Sequence, residues 1–372
     1  MITLTPEESA LLLTCRPFIN DEEADRLRRI AAGLQDWAFL LWRAEQYRML
    51  PLLRWHLREV GAWDRVPPAI QVYIERWVEL SRRRSIEQIR QLARISRAMA
   101  DADIDCFLLK GSGLALLYYD DPLLRPMQDL DLMVRRRDIR RAQRLMFALG
   151  YRHGIWDSDS ATFTPTIVEL TARQIARDVE IPPFTYFVER RSPLTRGQVP
   201  SQWLRQHIKC GITDDGTLVM PVFVDLHLNL SEDVAAEDVW LGYEKHLVAN
   251  VPVLVQSPTV MLWFIAARVY LEAFTYNTLK LSMLGDVHTL LVKAGDRIDW
   301  AELLAWSWKY RTRPALYYVL TQVRKLMSAD VPLEVLAILR PDSRDIPLDN
   351  DYGDLLPKLL SRPALHDIEY SS

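Results

Sequence analysis

The stretch from Phe107 to Val134 constrains this chain more than any other part of it. It reads FLLKGSGLALLYYDDPLLRPMQDLDLMV: an apolar run of strand length, a glycine turn, a short helical segment, a loop and a second apolar run. The second run contains Asp129-Leu130-Asp131. Because alternate side chains of a strand point to the same face, the two carboxylates should lie about 7 Å apart on one face. Such a pair predicts a site for divalent cations and phosphates.

A later extended run supplies a third acid. Its apolar face comprises Val222, Val224, Leu226, Leu228 and Leu230. The opposite face carries Asp225 and His227. An acid on a strand with such a packed reverse side is held firmly, as a metal ligand must be. We therefore predict Asp129, Asp131 and Asp225 as catalytic, metal-binding acids, with His227 supporting them rather than binding the metal itself. Three acids would suit two metals about 3.5–4 Å apart that clamp an in-line displacement.

The turn Lys110-Gly111-Ser112-Gly113 predicts a phosphate-binding element. Glycine lets the backbone approach a phosphate closely, and the start of the following helix presents N–H groups and a positive dipole end. Ser112 adds a hydroxyl donor, and Lys110 and Arg125 are the expected cations. The element is not a P-loop, because the spacing GxxxxGK[ST] is absent.

Hydrophobic patterning divides the chain into three regions. Residues 1–100 carry apolar side chains at helical spacing, and residues 101–230 alternate strand-like and helical segments around an irregular, proline-punctuated insertion at 151–217. Residues 231–372 read as helical again. This pattern predicts an α+β fold in which a small mixed β-sheet is flanked by N-terminal and C-terminal helical regions.

Composition limits which classes of partner and which cellular compartment we expect. The 46 basic and 49 acidic residues nearly cancel, so nothing favours a general nucleic-acid or membrane partner. The three cysteines show no metal-ligand spacing, which is typical of reduced thiols. The first residues lack a signal peptide, and no apolar run reaches about 20 residues. We expect a cytoplasmic protein.

Taken together, these motifs resemble those of the nucleotidyltransferase superfamily related to DNA polymerase beta. Its signature is a strand ending in Gly-Ser, a helix, an acid–apolar–acid strand and a third acid on a later strand. The chain is more closely similar to a bacterial family of largely uncharacterised nucleotidyltransferases. The stretches that carry this similarity are Lys110-Gly111, Arg125, Asp225-Leu226-His227, and Lys280 with Asp286. The gap between Ser112 and Asp129 is longer than in minimal members of the superfamily.

The resemblance implies transfer of a nucleoside monophosphate from a nucleoside triphosphate to an acceptor hydroxyl, with release of pyrophosphate. It implies Mg²⁺ or Mn²⁺ as cofactor, ATP as the expected donor, and nucleotide contacts for Lys280 and Asp286. The implied acceptor is a peptide, a sugar or a small metabolite, and a protein from the same biosynthetic cluster is an implied partner. Two alternatives stay open: a glycosyltransferase whose Asp-x-Asp binds a metal–diphosphate, and a non-catalytic nucleotide-binding scaffold.

Overall fold

In the described residues, helices precede and follow in sequence a segment that forms a mixed β-sheet. The computed structural model describes residues 4–248, 250–276, 278–342 and 359–360. In chain order, the α-helices are α1 Pro6–Thr14, α2 Asp21–Ala31, α3 Trp37–Gln46, α4 Leu50–Glu59, α5 Pro68–Asp101, α6 Lys110–Leu117, α7 Ile139–Ala148, α8 Ala172–Arg177, α9 Ala236–Val239, α10 Pro258–Phe274, α11 Leu281–Ala294, α12 Trp300–Lys309, α13 Arg313–Met327 and α14 Leu333–Leu339. The strands are β1 Cys106–Leu108, β2 Leu130–Val134, β3 Arg152–Asp157, β4 Thr162–Pro165, β5 Phe184–Arg191, β6 Gly211–Ile212, β7 Thr217–His227, β8 Tyr243–Val248 and β9 Val251–Gln256. The predicted α+β class is confirmed.

The chain forms two compact units. The helical unit comprises Met1–Val78, Tyr118–Arg125 and Pro258–Ser372. The sheet unit comprises Glu79–Leu117 and Pro126–Ser257. The sequence-based division into domains at 1–100, 101–230 and 231–372 stays a prediction.

The helix starts follow from local sequence. Thr5 accepts a hydrogen bond from the backbone N–H of Glu8, whose carboxylate accepts one from the backbone of Thr5. Asn20 and Glu23 form the same reciprocal pair at the start of α2, and the side chain of Asp299 caps α12. Each cap satisfies N–H groups that have no partner within the helix, so these boundaries can be predicted from the sequence.

The sheet unit contains one mixed nine-stranded sheet. Its strand order is β4-β3-β5-β7-β2-β1-β9-β8, with β6 paired to β7. β2 lies between β7, to which it is parallel, and β1, to which it is antiparallel. Leu132 on β2 and Val224 and Leu226 on β7 are fully buried. Such central strands are rigid supports for side chains that project from them.

Two strands lie where the hydrophobic pattern predicted helices. β8 and β9 form an antiparallel hairpin, and β9 pairs in parallel with β1. Helices resume only at Pro258. Val251, Val253 and Val255 are buried at every second position, which is the periodicity of a strand. Because a long helical pattern directly follows this short run, the sequence predicted helices here.

The 151–217 insertion contributes four strands, β3, β4, β5 and β6, to the same sheet. Within it, β4 spans Thr162–Pro165 and β5 spans Phe184–Arg191. β5 pairs along its whole length with β7, so the insertion is part of the sheet that carries Asp225.

Within the helical unit, α11 leaves no room for a side chain at Gly285. A Cβ placed there would lie 2.0 Å from the backbone oxygen of Cys15. We expect Gly285→Ala to lower the free energy of unfolding by about 2 kcal/mol or more, because backbone rather than a flexible side chain must move. Denaturant unfolding followed by circular dichroism measures this change.

Gly295 provides the matched control for that substitution. A Cβ at Gly295 would meet nothing within 4 Å, and its φ of −54° suits any residue. Gly295→Ala should therefore change the free energy of unfolding by no more than about 0.5 kcal/mol. Equal stability of the two variants would contradict the packing argument.

Candidate active site

The parallel pairing of β2 with β7 brings two of the predicted acids side by side. In this register Asp131 lies opposite Asp225, and Met133 lies opposite His227. Neighbouring strands are about 4.8 Å apart, so carboxylates at paired positions on one face can reach a common ion. The sequence predicted the strands and their faces, and the fold supplies the register.

Of the three acids, Asp131 makes the most side-chain hydrogen bonds in the described structure. Its Oδ1 lies 2.6 Å from Nζ of Lys110 and 2.9 Å from Nε2 of His227. Lys110 Nζ also lies 3.2 Å from His227 Nε2. Burial alone would raise the pKa of Asp131, but the hydrogen bond from His227 and the Lys110 ammonium outweigh it and hold the pKa at about 2. Asp131 is thus a buried carboxylate that stays ionised.

Asp129 and Asp225 respond in the opposite direction. Burial, reinforced by the negative charges of Asp129 and Asp131, raises the pKa of Asp225 to about 6. Burial and the charge of Asp131 also raise the pKa of Asp129. The three carboxylates are therefore close enough to repel one another, a situation that a bound cation relieves.

One ligand atom from each of Asp131, Asp225 and His227 lies within 4.8 Å of the other two. Two carboxylates and an imidazole are a donor set that fits a divalent cation. His227 was predicted to support the acids, yet the fold sets it within this group of donors. Asp129, which directly precedes β2, is not a member of the group, and its metal-binding role stays a prediction.

The predicted glycine turn is the first turn of α6, which begins at Lys110. Lys110 adopts a left-handed backbone with φ of 43°, and this conformation turns the chain from β1 into the helix. The fully buried Ser112 donates its hydroxyl to the backbone oxygens of Leu109 and Asp131. The hydrogen bond to Asp131 connects the first turn of α6 to β2. The phosphate contacts proposed for Lys110, Gly111 and Ser112 stay predictions.

Two residues of the 151–217 insertion lie at the site although the sequence interpretation did not select them. Lys209 places its Nζ 5.6 Å from the ring centroid of Phe223, and its charge partly offsets the raised pKa of Asp129. Glu180 Oε2 lies 3.2 Å from Nδ1 of His227. Side-chain alternation along a strand relates residues within that strand only, and both residues come from segments outside β7.

The comparisons with known proteins identify the family. A family model described as an uncharacterised nucleotidyltransferase matches residues 34–328. The chain belongs to that family. No curated protein and no solved structure matches it. Membership in this nucleotidyltransferase family implies a nucleoside triphosphate substrate, an acceptor and a divalent metal, and the match spans every predicted site residue.

The remaining site residues predicted for this nucleotidyltransferase lie in the helical unit. Arg125 binds Asp286 through two parallel contacts of 2.7 Å, Nε to Oδ1 and a terminal guanidinium nitrogen to Oδ2. Tyr119 donates its hydroxyl to Asp286 Oδ1 at 2.9 Å. Lys280 lies at the N-cap position of α11. These contacts join the 118–125 segment to α11, and the nucleotide contacts of Arg125, Lys280 and Asp286 stay predictions.

In the part of the chain that the structure describes, none of the helices has the length and apolar character needed to cross a lipid bilayer.

Proposed function

We propose that this chain is a divalent-metal-dependent nucleotidyltransferase of the DNA polymerase beta-like superfamily. It moves a nucleoside monophosphate from a triphosphate, with ATP as the expected donor, to an acceptor hydroxyl and releases pyrophosphate. The observation that carries the proposal is the parallel register that sets Asp131 opposite Asp225. Helix α6 begins beside these acids, and its first residue, Lys110, donates a hydrogen bond to Asp131.

Asp131 and Asp225 would hold the metal, with Asp129 as the third acid of the superfamily pattern. Burial is the main cause of the raised pKa of Asp225, and repulsion by Asp129 and Asp131 adds to it; a bound cation would offset both effects. When bound, Mg²⁺ or Mn²⁺ supplies positive charge that favours ionisation of the attacking hydroxyl and neutralises the leaving pyrophosphate.

The chain's own cations would bind and orient the triphosphate. Lys110 Nζ contacts Asp131. The charge of Lys209 offsets part of the rise in the pKa of Asp129. Ammonium groups at these two positions can bind phosphate oxygens, and such electrostatic contacts act where charge develops in the transition state. The N–H groups at the start of α6 add further donors for an anion.

The acceptor in this proposal is a hydroxyl of a peptide, a sugar or a small metabolite. The chain has 46 basic and 49 acidic residues, and this near balance does not favour a polyanionic acceptor. Genes of the family that the chain resembles often accompany biosynthetic clusters, so the proposal includes a protein partner from such a cluster.

Transfer of label from α-labelled ATP tests the proposal. The protein is incubated with peptide, oligosaccharide and metabolite fractions, and labelled product and released pyrophosphate are both measured. We expect transfer to require a divalent metal, to stop on chelation, and to fall by about a hundredfold or more in Asp225→Asn because a metal-binding charge is lost.

Asp105→Asn is the matched control for Asp225→Asn. Asp105 lies in the same unit, is about half exposed and pairs with Arg135 at 3.0 Å. Exposed pairs contribute about 0–1 kcal/mol, so this variant should keep wild-type transfer. Equal transfer by wild type and Asp225→Asn would refute the assigned role. Nucleotide binding without transfer to any fraction would favour the scaffold alternative.

A further inference from the structure

His227 has the surroundings of a metal-binding histidine. Its side chain is 3% exposed, and each of its ring nitrogens faces a carboxylate: Nε2 faces Asp131 and Nδ1 faces Glu180. Histidines that bind metals almost always direct their other ring nitrogen to a carboxylate, carbonyl or water, which fixes the ring. The Glu180–His227 contact has this form, and Nε2 points to the group formed with Asp131 and Asp225.

Glu180 is held in place by its backbone rather than by burial of its side chain. Ile181 donates its N–H to the oxygen of Leu226, and Leu228 donates to the oxygen of Val179, so residues 179–181 run alongside the end of β7. The Glu180 side chain is 57% exposed. A carboxylate that the core does not require thus lies beside a buried ring.

Lys110 shows that a cation is accommodated at these atoms. Its ammonium group lies 2.6 Å from Asp131 Oδ1 and 3.2 Å from His227 Nε2. A metal bound through the same two atoms would take over the contacts that the ammonium makes. These two atoms therefore accommodate a positive charge even before any metal binds.

We propose that His227 is a metal ligand through Nε2, oriented by Glu180, and that the site therefore binds Mn²⁺ in preference to Mg²⁺. Mg²⁺ favours carboxylate, phosphate and water oxygens, whereas first-row transition metals also accept imidazole nitrogen. A site with two carboxylates and one imidazole discriminates between Mn²⁺ and Mg²⁺. A site of three carboxylates discriminates less between the two ions. This inference rests on the proposed function, because it names the metal of that same site.

Metal binding to the nucleotide-free protein tests the proposal directly. Isothermal titration calorimetry with Mn²⁺ and with Mg²⁺ gives both affinities, and pulsed electron paramagnetic resonance of bound Mn²⁺ detects a coordinated nitrogen. We expect the wild type to bind Mn²⁺ at least about tenfold more tightly than Mg²⁺, with a nitrogen coupling in the Mn²⁺ spectrum.

Glu180→Gln and His227→Gln separate orientation from ligation. Loss of an orienting carboxylate typically weakens metal binding by about 10–100-fold, so Glu180→Gln should weaken Mn²⁺ by that factor and Mg²⁺ far less. His227→Gln should abolish the nitrogen coupling and the preference for Mn²⁺. Because Glu180 is largely exposed, Glu180→Gln remains informative even where His227→Gln does not fold.

The chain offers a matched Glu–His pair outside the site. His246 Nε2 lies 2.8 Å from Glu244 Oε2 on β8, and both side chains are about one third exposed. Glu244→Gln and His246→Gln should leave both metal affinities unchanged. An unchanged Mn²⁺ affinity in Glu180→Gln, or a nitrogen coupling that persists in His227→Gln, would overturn the proposal.

The outcomes also separate this proposal from the proposed function. Label transfer that depends on Asp225 but shows no preference for Mn²⁺ and no nitrogen coupling would refute only the His227 ligation. A nitrogen coupling lost in His227→Gln, together with no label transfer to any fraction, would refute only nucleotidyl transfer.

Discussion

Asp131→Asn is expected to lower kcat/KM for nucleotidyl transfer by at least about a thousandfold, equivalent to about 4 kcal/mol of transition-state stabilisation. The asparagine keeps the volume of the side chain but removes the charge. That charge is the counter-ion of Lys110 and the partner of His227, and it belongs to the group of possible metal ligands. Among the described residues, no other carboxylate of the proposed site contacts both Lys110 and His227.

Steady-state kinetics with α-labelled ATP measures this loss, and circular dichroism verifies that Asp131→Asn is folded. Asp131 has a side chain only 8% exposed, so the thermal melt must accompany the kinetics. Asp105→Asn again provides the reference, because it removes one carboxylate from the surface of the same unit. A folded Asp131→Asn with activity within about tenfold of wild type would remove Asp131 from the mechanism.

Asp286→Ala is expected to destabilise the helical unit by about 3–5 kcal/mol, which is the range for removing one partner of a buried ion pair. The Asp286 side chain is 5% exposed and accepts hydrogen bonds from Arg125 and Tyr119. Its loss removes the carboxylate that the Arg125 guanidinium, 21% exposed, contacts through two nitrogens, and it removes the group to which the Tyr119 hydroxyl donates. Denaturant unfolding of the variant and the wild type measures the difference.

An exposed ion pair of the same unit is the control for Asp286→Ala. Lys293 Nζ lies 2.6 Å from Asp120 Oδ1, and the Asp120 side chain is 73% exposed. Because water screens such a pair, Asp120→Ala should change the free energy of unfolding by less than about 1 kcal/mol. If Asp286→Ala were no more destabilising than Asp120→Ala, the Arg125–Asp286 pair would not be a structural anchor.

The placement of Asp131 and Asp225 on strand faces could be predicted because strand periodicity is a local property. Asp131 and Asp225 each lie on a strand whose reverse side is apolar, and that alternation is readable over five residues. The caps at Thr5 and Asn20 were predictable for the same reason, since each involves groups three residues apart. What these features share is that a short window of sequence contains all the interacting groups.

The supporting residues could not be predicted from such windows. Glu180 and Lys209 reach the site only because the insertion folds against β7, and their own flanking sequence carries no motif. The β8–β9 hairpin was missed for a related reason. Its strand β9 is stabilised by pairing with β1, which lies far away in the sequence, and a helical pattern follows the hairpin directly.

The sequence by itself determined which side chains share a strand face, where the capped helices begin, and that a glycine-containing turn precedes an acid–apolar–acid strand. Tertiary structure alone decided that β2 pairs in parallel with β7, so that Asp131 faces Asp225 and His227 comes within reach of both. The physical reason is that side-chain alternation follows from backbone geometry within one strand, whereas register is fixed by packing and hydrogen bonds between strands. The acids and His227 were therefore visible in the sequence, whereas the contacts of Asp131 with Lys110 and of His227 with Glu180 became visible only in the fold.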